Sequence, residues 1–137
     1  MTYEEIVDII RATATAVNPT GFYLNAVGGK KDASEYFKQP SPQIFLYGVR
    51  SKRDPKTSTR TWTFIILFVK QDTPKTTEAE REQILADMDE LSTDFLQYLF
   101  DNYHIDFTID DSPENRILQG TYSGWSCSFN VTTPDLC

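Results

Sequence analysis

Six consecutive apolar residues, Phe64-Ile-Ile-Leu-Phe-Val69, lie inside a run rich in β-branched and aromatic side chains, Thr61–Lys70. A strand sends successive side chains to opposite faces, so a run that is apolar at both parities has no face to give to water. Such a segment reads as a central strand covered on both sides. It is far shorter than the roughly 20 apolar residues a membrane helix needs. The chain is thereby committed to layers packed on a sheet.

The covering helices can be read from spacing. Ile84, Met88, Leu91, Phe95 and Leu99 recur at helical intervals, with Leu85, Ser92 and Leu96 in the neighbouring row. One broad apolar face results, and the spacing predicts a helix over Glu78–Asn102. The capping box Thr77-Glu-Ala-Glu80 would start it. This Met and aromatic stripe reads as core, not as a cofactor site. A second capping box, Thr2-Tyr-Glu-Glu5, precedes Ile6, Ile9, Ile10, Thr13, Ala14 and Val17. That predicts a helix over residues 3–17, ended at Asn18-Pro19 because the residue before proline avoids the helical region.

The remaining segments read as strands and turns. Phe22–Val27 reads as a short strand, Gly28-Gly-Lys-Lys31 as a turn, and Asp32–Phe37 as a helical turn or loop. Gln43–Val49 is a strand by composition. Arg50–Arg60 is polar, basic and contains Pro55, so it reads as a long hairpin loop. Ordinary hairpin loops have about two to five residues, and a longer one points to binding. Ile105, Phe107 and Ile109 alternate with polar residues as a half-buried strand, Asp111–Asn115 reads as a turn, and Arg116–Gly120 as a brief pairing segment. Trp125, Cys127, Phe129 and Val131 form the apolar face of a last strand, ended by Pro134. The order predicts an α+β fold. An antiparallel or mixed sheet of four to five strands carries an N-terminal helix and one long helix on one face, with a long β-hairpin loop projecting. A length of 137 residues fits one domain.

Charge is segregated along the chain. Between Gly28 and Arg60 there are eight Lys/Arg against three acids, whereas between Asp72 and Glu114 there are thirteen acids against two bases. The plain reading is two solvated surfaces. The sharper reading is a self-complementary pair of patches in a homo-oligomer, since opposite potentials steer association and fix its register. Its candidate interface residues are Arg50, Lys52, Arg53, Lys56 and Arg60 on the basic side and Asp87, Glu90 and Asp94 on the acidic side. The basic segment 50–60 contains no aromatic residue and the chain is acidic overall, which argues against nucleic-acid recognition as its task.

Candidate chemistry is sparse, and the expectation is a protein that is not an enzyme, with no cofactor and no metal. His104 is the sole histidine and sits at an element boundary. Cys127 lies on the apolar side of its strand, away from any evident base, and with Cys137 makes no disulfide framework. Asp106, Asp110 and Asp111 lack calcium-loop spacing, and Asp106 and Asp110 would stand roughly 13 Å apart on one strand face. Gly28-Gly-Lys-Lys31 lacks most of a phosphate-loop pattern. The acidic N-terminus, Met1-Thr-Tyr-Glu-Glu, has no basic flank for an export signal.

Three segments carry a resemblance: Thr61–Lys70 followed by Gln71-Asp72, the acidic helix with Met88-Asp-Glu-Leu-Ser92, and the closing Gly124-Trp-Ser-Cys-Ser-Phe-Asn-Val131. In this order the chain resembles the tail-terminator, tail-completion and head-to-tail joining proteins of tailed bacteriophages, including crAss-like phages. The resemblance implies a homo-oligomeric ring, six-fold or twelve-fold, at the neck of the virion, assembled in the host cytoplasm. Its neighbours would be portal, connector or tail-tube proteins. DNA would pass without specific binding, and no membrane is involved. The family has no catalytic residues to carry over. The alternative is a cytosolic adaptor that binds one protein partner through the basic loop 50–60.

Overall fold

The computed structural model describes residues 2–25, 42–72, 75–103, 108–116 and 122–134. The first helix, α1, spans Tyr3–Val17. The Thr2 hydroxyl accepts a hydrogen bond from the Glu5 backbone N–H at 3.2 Å, which satisfies one of the free donors of the first turn. The Asn18 N–H closes the other end on the Ala14 carbonyl. The Asn18 side chain then donates to the Pro42 carbonyl at 3.1 Å and ties the end of α1 to the sheet.

Five strands follow: β1 (Phe22–Asn25), β2 (Gln43–Asp54), β3 (Thr59–Gln71), β4 (Thr108–Arg116) and β5 (Tyr122–Pro134), with helix α2 (Glu78–Tyr103) between β3 and β4. Their order in the sheet is β1-β2-β3-β5-β4. β1 runs parallel to β2 and the other pairings are antiparallel, so the sheet is mixed. The fold is α+β, and β3 is its central strand, as its double-sided apolar run requires.

Both helices cover one face. Ile6, Val7, Ile10 and Ala14 of α1 and Met88, Leu91, Phe95 and Leu99 of α2 pack on Ile44, Leu46, Trp62, Phe64, Ile66, Phe68, Cys127 and Phe129. Phe95 meets Phe68 edge-on with ring centres 5.3 Å apart and tilts against Phe129 at 5.9 Å. Phe64 stacks on Phe129 at 5.3 Å. Offset and edge-on contacts of this kind add to the burial of large rings. On the opposite face Phe45, Leu67, Val69 and Tyr122 are buried as a second cluster. The six-residue run thus supplies Phe64, Ile66 and Phe68 to one face and Ile65, Leu67 and Val69 to the other.

An ion pair between a buried carboxylate and a partly exposed guanidinium joins the layers where β3 ends. Arg81, in the first turn of α2, donates to both carboxylate oxygens of Asp72 at 2.7 and 3.2 Å. The Ser123 hydroxyl of β5 donates to the same carboxylate at 2.6 Å. These bonds, the Arg81 ones foremost, hold the Asp72 carboxyl down at about 2. One acid thereby fixes the end of β3, the start of α2 and the start of β5.

Three local expectations are corrected. Arg50–Arg60 is not a loop: β2 runs on to Asp54 and β3 starts at Thr59, so only Pro55–Ser58 form the turn. β2 therefore ends five residues beyond Val49, because pairing with β3 continues in register as far as Asp54↔Thr59. Asp111–Asn115 is not a turn either but part of β4, paired to β5 through Asp111↔Cys127 and Pro113↔Trp125. Pro113 is tolerated because β4 is the sheet edge, where a missing N–H breaks no ladder. β1 ends at Asn25, and the readings of Gly28–Lys31, Asp32–Phe37, His104–Phe107 and 117–120 lie outside the described residues.

One irregularity decides which side chains face which way. The register between β2 and β3 shifts between Leu46 and Gly48, leaving Tyr47 as an extra, unpaired residue. Leu46 lies on the helix side with Ile66, and after this bulge Val49, opposite Phe64, does so again. Ser51 and Arg53 therefore share the helix side with Trp62 and Arg60, and Arg50 and Lys52 share the outer side with Thr63 and Thr61.

Candidate functional site

The basic residues collect on an arm. Its legs are the ends of three strands: β2 from Arg50, β3 up to Thr63 and β5 from Asn130, with Thr59 paired to both Asp54 and Pro134. Trp62 and Val131 are buried at its root, whereas residues 50–58 are all exposed. Hydroxyls and amides brace the third strand to the second. Thr61 and Thr132 share a hydrogen bond at 3.0 Å, and Thr63 donates to Asn130 at 2.6 Å. The turn is held by the Lys56 N–H donating to Asp54 at 3.0 Å and by Ser58 at φ 53°, a left-handed conformation.

Arg60 is the best positioned cation. Its guanidinium lies over the Trp62 ring, 3.8 Å from the centroid, and donates to the Ser51 hydroxyl at 3.2 Å. The ring face attracts the charge, and the aliphatic stem covers apolar surface. The Arg60 Nε and the Trp62 indole N–H are buried and find no hydrogen-bond partner. Arg53 stands directly across the ladder from Arg60, on the same side and exposed. Arg50 and Lys52 occupy the other side, and Lys56 the turn.

The acidic candidates lie along α2. Gln83, Asp87, Glu90, Asp94, Gln97 and Asp101 follow one stripe by alternating steps of four and three residues. At the N-terminal end Asp87 receives a bond from Gln83 at 2.8 Å and lies 4.0 Å from the Lys70 ammonium. At the C-terminal end Asp101 receives one from Gln97 at 2.9 Å. Between these two satisfied acids sit Glu90 and Asp94, both exposed and in no ion pair among the described residues. Asp87 thus separates from the other two acidic candidates, because Lys70 already meets it.

Sequence reasoning missed the supports of these groups. Trp62 and Ser51 hold Arg60, and Lys70 occupies Asp87. The two-residue step from Arg60 to Trp62 places both on one strand face and was a usable signal. The pairing of Ser51 with Trp62 was not, because it depends on the bulge.

The remaining chemical candidates are dispersed. Asp110 and Asp111 are neighbours in β4 and point to opposite faces, opposite Ser128 and Cys127 respectively, so they form no carboxylate pair. Cys127 is fully buried, and burial, reinforced by the nearby charge of Asp111, pushes its thiol up to about 12. His104, Asp106, Cys137 and Gly28–Lys31 lie outside the described residues. No three metal-ligating side chains converge among the described residues. A shallow, open cleft beside the start of α2 is lined by Lys70, Thr76, Glu80, Gln83 and Asp87. Among the described residues no helix is long and apolar enough to cross a membrane.

No family model matches the chain, and no curated protein matches it.

Proposed function

We propose that the chain is a virion structural protein of a tailed phage, a ring subunit of the neck that joins the tail to the portal or connector. The observation that carries this reading is the arm. Three paired strands run past the helix cover into a braced, basic projection, and the long helix of the same molecule carries an acidic stripe. A braced arm gives up little conformational freedom when it docks, so it suits contacts repeated around an assembly. Arm and stripe are different surfaces, so a contact between them is heterologous and propagates from copy to copy until a ring closes. The element order behind the resemblance, helix, strands, long helix, strands, is that of the described residues.

Mass spectrometry of purified virions tests the proposal. The chain is expected in particles at a fixed ratio to portal protein, in ring-like copy number. Its absence from particles refutes the reading. The same arm would serve a cytosolic adaptor. Removing residues 51–59 and losing a cellular, non-virion partner in a pull-down would favour that second reading.

A further inference from the structure

The sheet has two open edges at the level of the arm. β1 pairs with β2 only at Gln43–Leu46, so among the described residues no strand pairs with the far side of β2 from Tyr47 onward. At the other end β4 pairs with β5 and has no described strand beyond it. Tyr47 and residues 50–52 are exposed, as are Thr108 and residues 110–113. An open edge offers its row of backbone N–H and C=O groups to any chain that can approach. The two edges differ in charge. Arg50 and Lys52 lie on the outer face of β2, Asp110 lies on the outer face of β4, and Asp111 lies on its helix side. None of the four is in an ion pair among the described residues. Two β2 edges would oppose cation to cation and two β4 edges acid to acid, and like charges directly opposed destabilise a strand pair. Only the unlike edges attract.

We infer that the β2 edge of one copy pairs with the β4 edge of the next, Gly48–Lys52 running antiparallel to Thr108–Ser112 with Arg50 directly opposite Asp110. Direction follows from the sheet: β2, β3, β5 and β4 alternate, so β4 runs opposite to β2. A copy rotated about an axis along the strands therefore presents its β2 antiparallel to this β4. The register keeps Arg50 and Lys52 on the same side as Thr108, Asp110 and Ser112, so the outer faces continue from copy to copy. It also sets Pro113, which has no N–H to give, opposite Tyr47, the residue that the β2 bulge leaves unpaired. The new ladder thus ends one residue short of Leu46, where β1 takes over. Tyr47, a large ring left 38% exposed, gains a proline neighbour. Backbone bonds supply the affinity of such a strand addition, and the facing side chains select the partner. The joined edges are different surfaces, so the contact repeats head to tail and can close a ring. The inference deepens the ring reading above by naming a backbone contact between copies. It rests on that reading for its biological setting, while self-association can be measured without any virion.

The experiment uses the full chain at low salt. Sedimentation of the wild type is expected to show association that grows with concentration and weakens as salt rises. Hydrogen exchange is expected to slow with concentration in peptides covering residues 47–52 and 108–112. R50E/K52E and D110K/D111K are each expected to associate roughly tenfold or more weakly than wild type. Mixed in equal amounts they recover association, because each altered edge then meets an edge of opposite charge. In a C137S background, mild oxidation of R50C protein mixed with D110C protein is expected to give the mixed disulfide dimer, since the Cβ atoms of directly opposed residues stand about 5 Å apart. R50C mixed with S112C, two residues out of register, is expected to link far more slowly. Should a charge swap unfold the chain, the cysteine pairs carry the test by themselves. A wild type that stays monomeric, association without slowed exchange at the two edges, folded swap variants whose mixture fails to recover, or equal linking by D110C and S112C overturns the contact. Absence from virions would instead overturn the neck reading and leave a measured contact standing.

Discussion

The Arg60 guanidinium lies over the indole of Trp62, 3.8 Å from the ring centre, and forms the outer surface of the core at the root of the arm. Trp62 is only 2% exposed although the strand around it is leaving the helix cover. Replacing Arg60 with alanine removes both the cation–π contact and the aliphatic cover. We expect a loss of about 1–2 kcal/mol in urea unfolding. Arg53→Ala, across the ladder but exposed, should stay within about 0.5 kcal/mol of wild type. Equal effects at the two positions would contradict this account.

Acid should loosen the joint at Asp72. Its carboxyl is held at about 2, below its ordinary value near 4. The contribution to stability is therefore complete above the ordinary value and is lost as pH falls from there through about 2. It amounts to roughly 2 kcal/mol. Asp72→Asn removes the charge and leaves Arg81 without its carboxylate. Its denaturation midpoint should be lower at neutral pH, and its stability should fall less steeply below pH ~4 than that of wild type.

The Cys127 thiol should be inert in the native state. It is buried, and its pKa stands at about 12. In a C137S background, a thiol reagent at pH 8 should label it orders of magnitude more slowly than in denaturant. Labelling would then report opening of the sheet under α2, and rapid native labelling would exclude this packing.

Gly124 is required by close approach. A Cβ there would meet the Phe68 carbonyl and the Val69 backbone of the paired strand. Gly124→Ala should cost roughly 2–4 kcal/mol, because backbone on β3 cannot yield as a side-chain tip can. Thermal unfolding measures this, with Gly48→Ala as the tolerant comparison, since a Cβ there meets only Ile65 at an ordinary 3.8 Å.

Residues that report their surroundings locally were legible in the sequence. The double-sided apolar run could only be a central strand, and the spacing of Ile84, Met88, Leu91, Phe95 and Leu99 could only be a buried helix face. Residues 50–54 and 59–60 were read as loop because a strand exposed on both faces has no alternation to display. Residues 50–54 pair with β3 across the turn, and residues 59–60 pair also with β5, which is distant in sequence. Asp111-Ser-Pro-Glu-Asn115 imitates a turn for a related reason. An edge strand is free to carry proline and charge, the composition that marks turns elsewhere. Of the site, the sign of each charged surface was readable from composition. The separation of Asp87 from Glu90 and Asp94 was not, because it depends on where Lys70 lies in the folded sheet.

The extra residue at Tyr47 acts as a one-residue phase setter for everything beyond it. Strand side chains have a period of two, so straightening the bulge, with Tyr47 retained and paired to Ile65, would turn the rest of β2 over. Arg50 and Lys52 would rotate to the side of Trp62, and Arg53 would face away from Arg60. An arm with unchanged sequence beyond that point, unchanged length and unchanged net charge would then present a different pattern of cations. Loss of this bulge is thus a route by which such an arm could exchange one docking partner for another without a single change at the contact residues themselves.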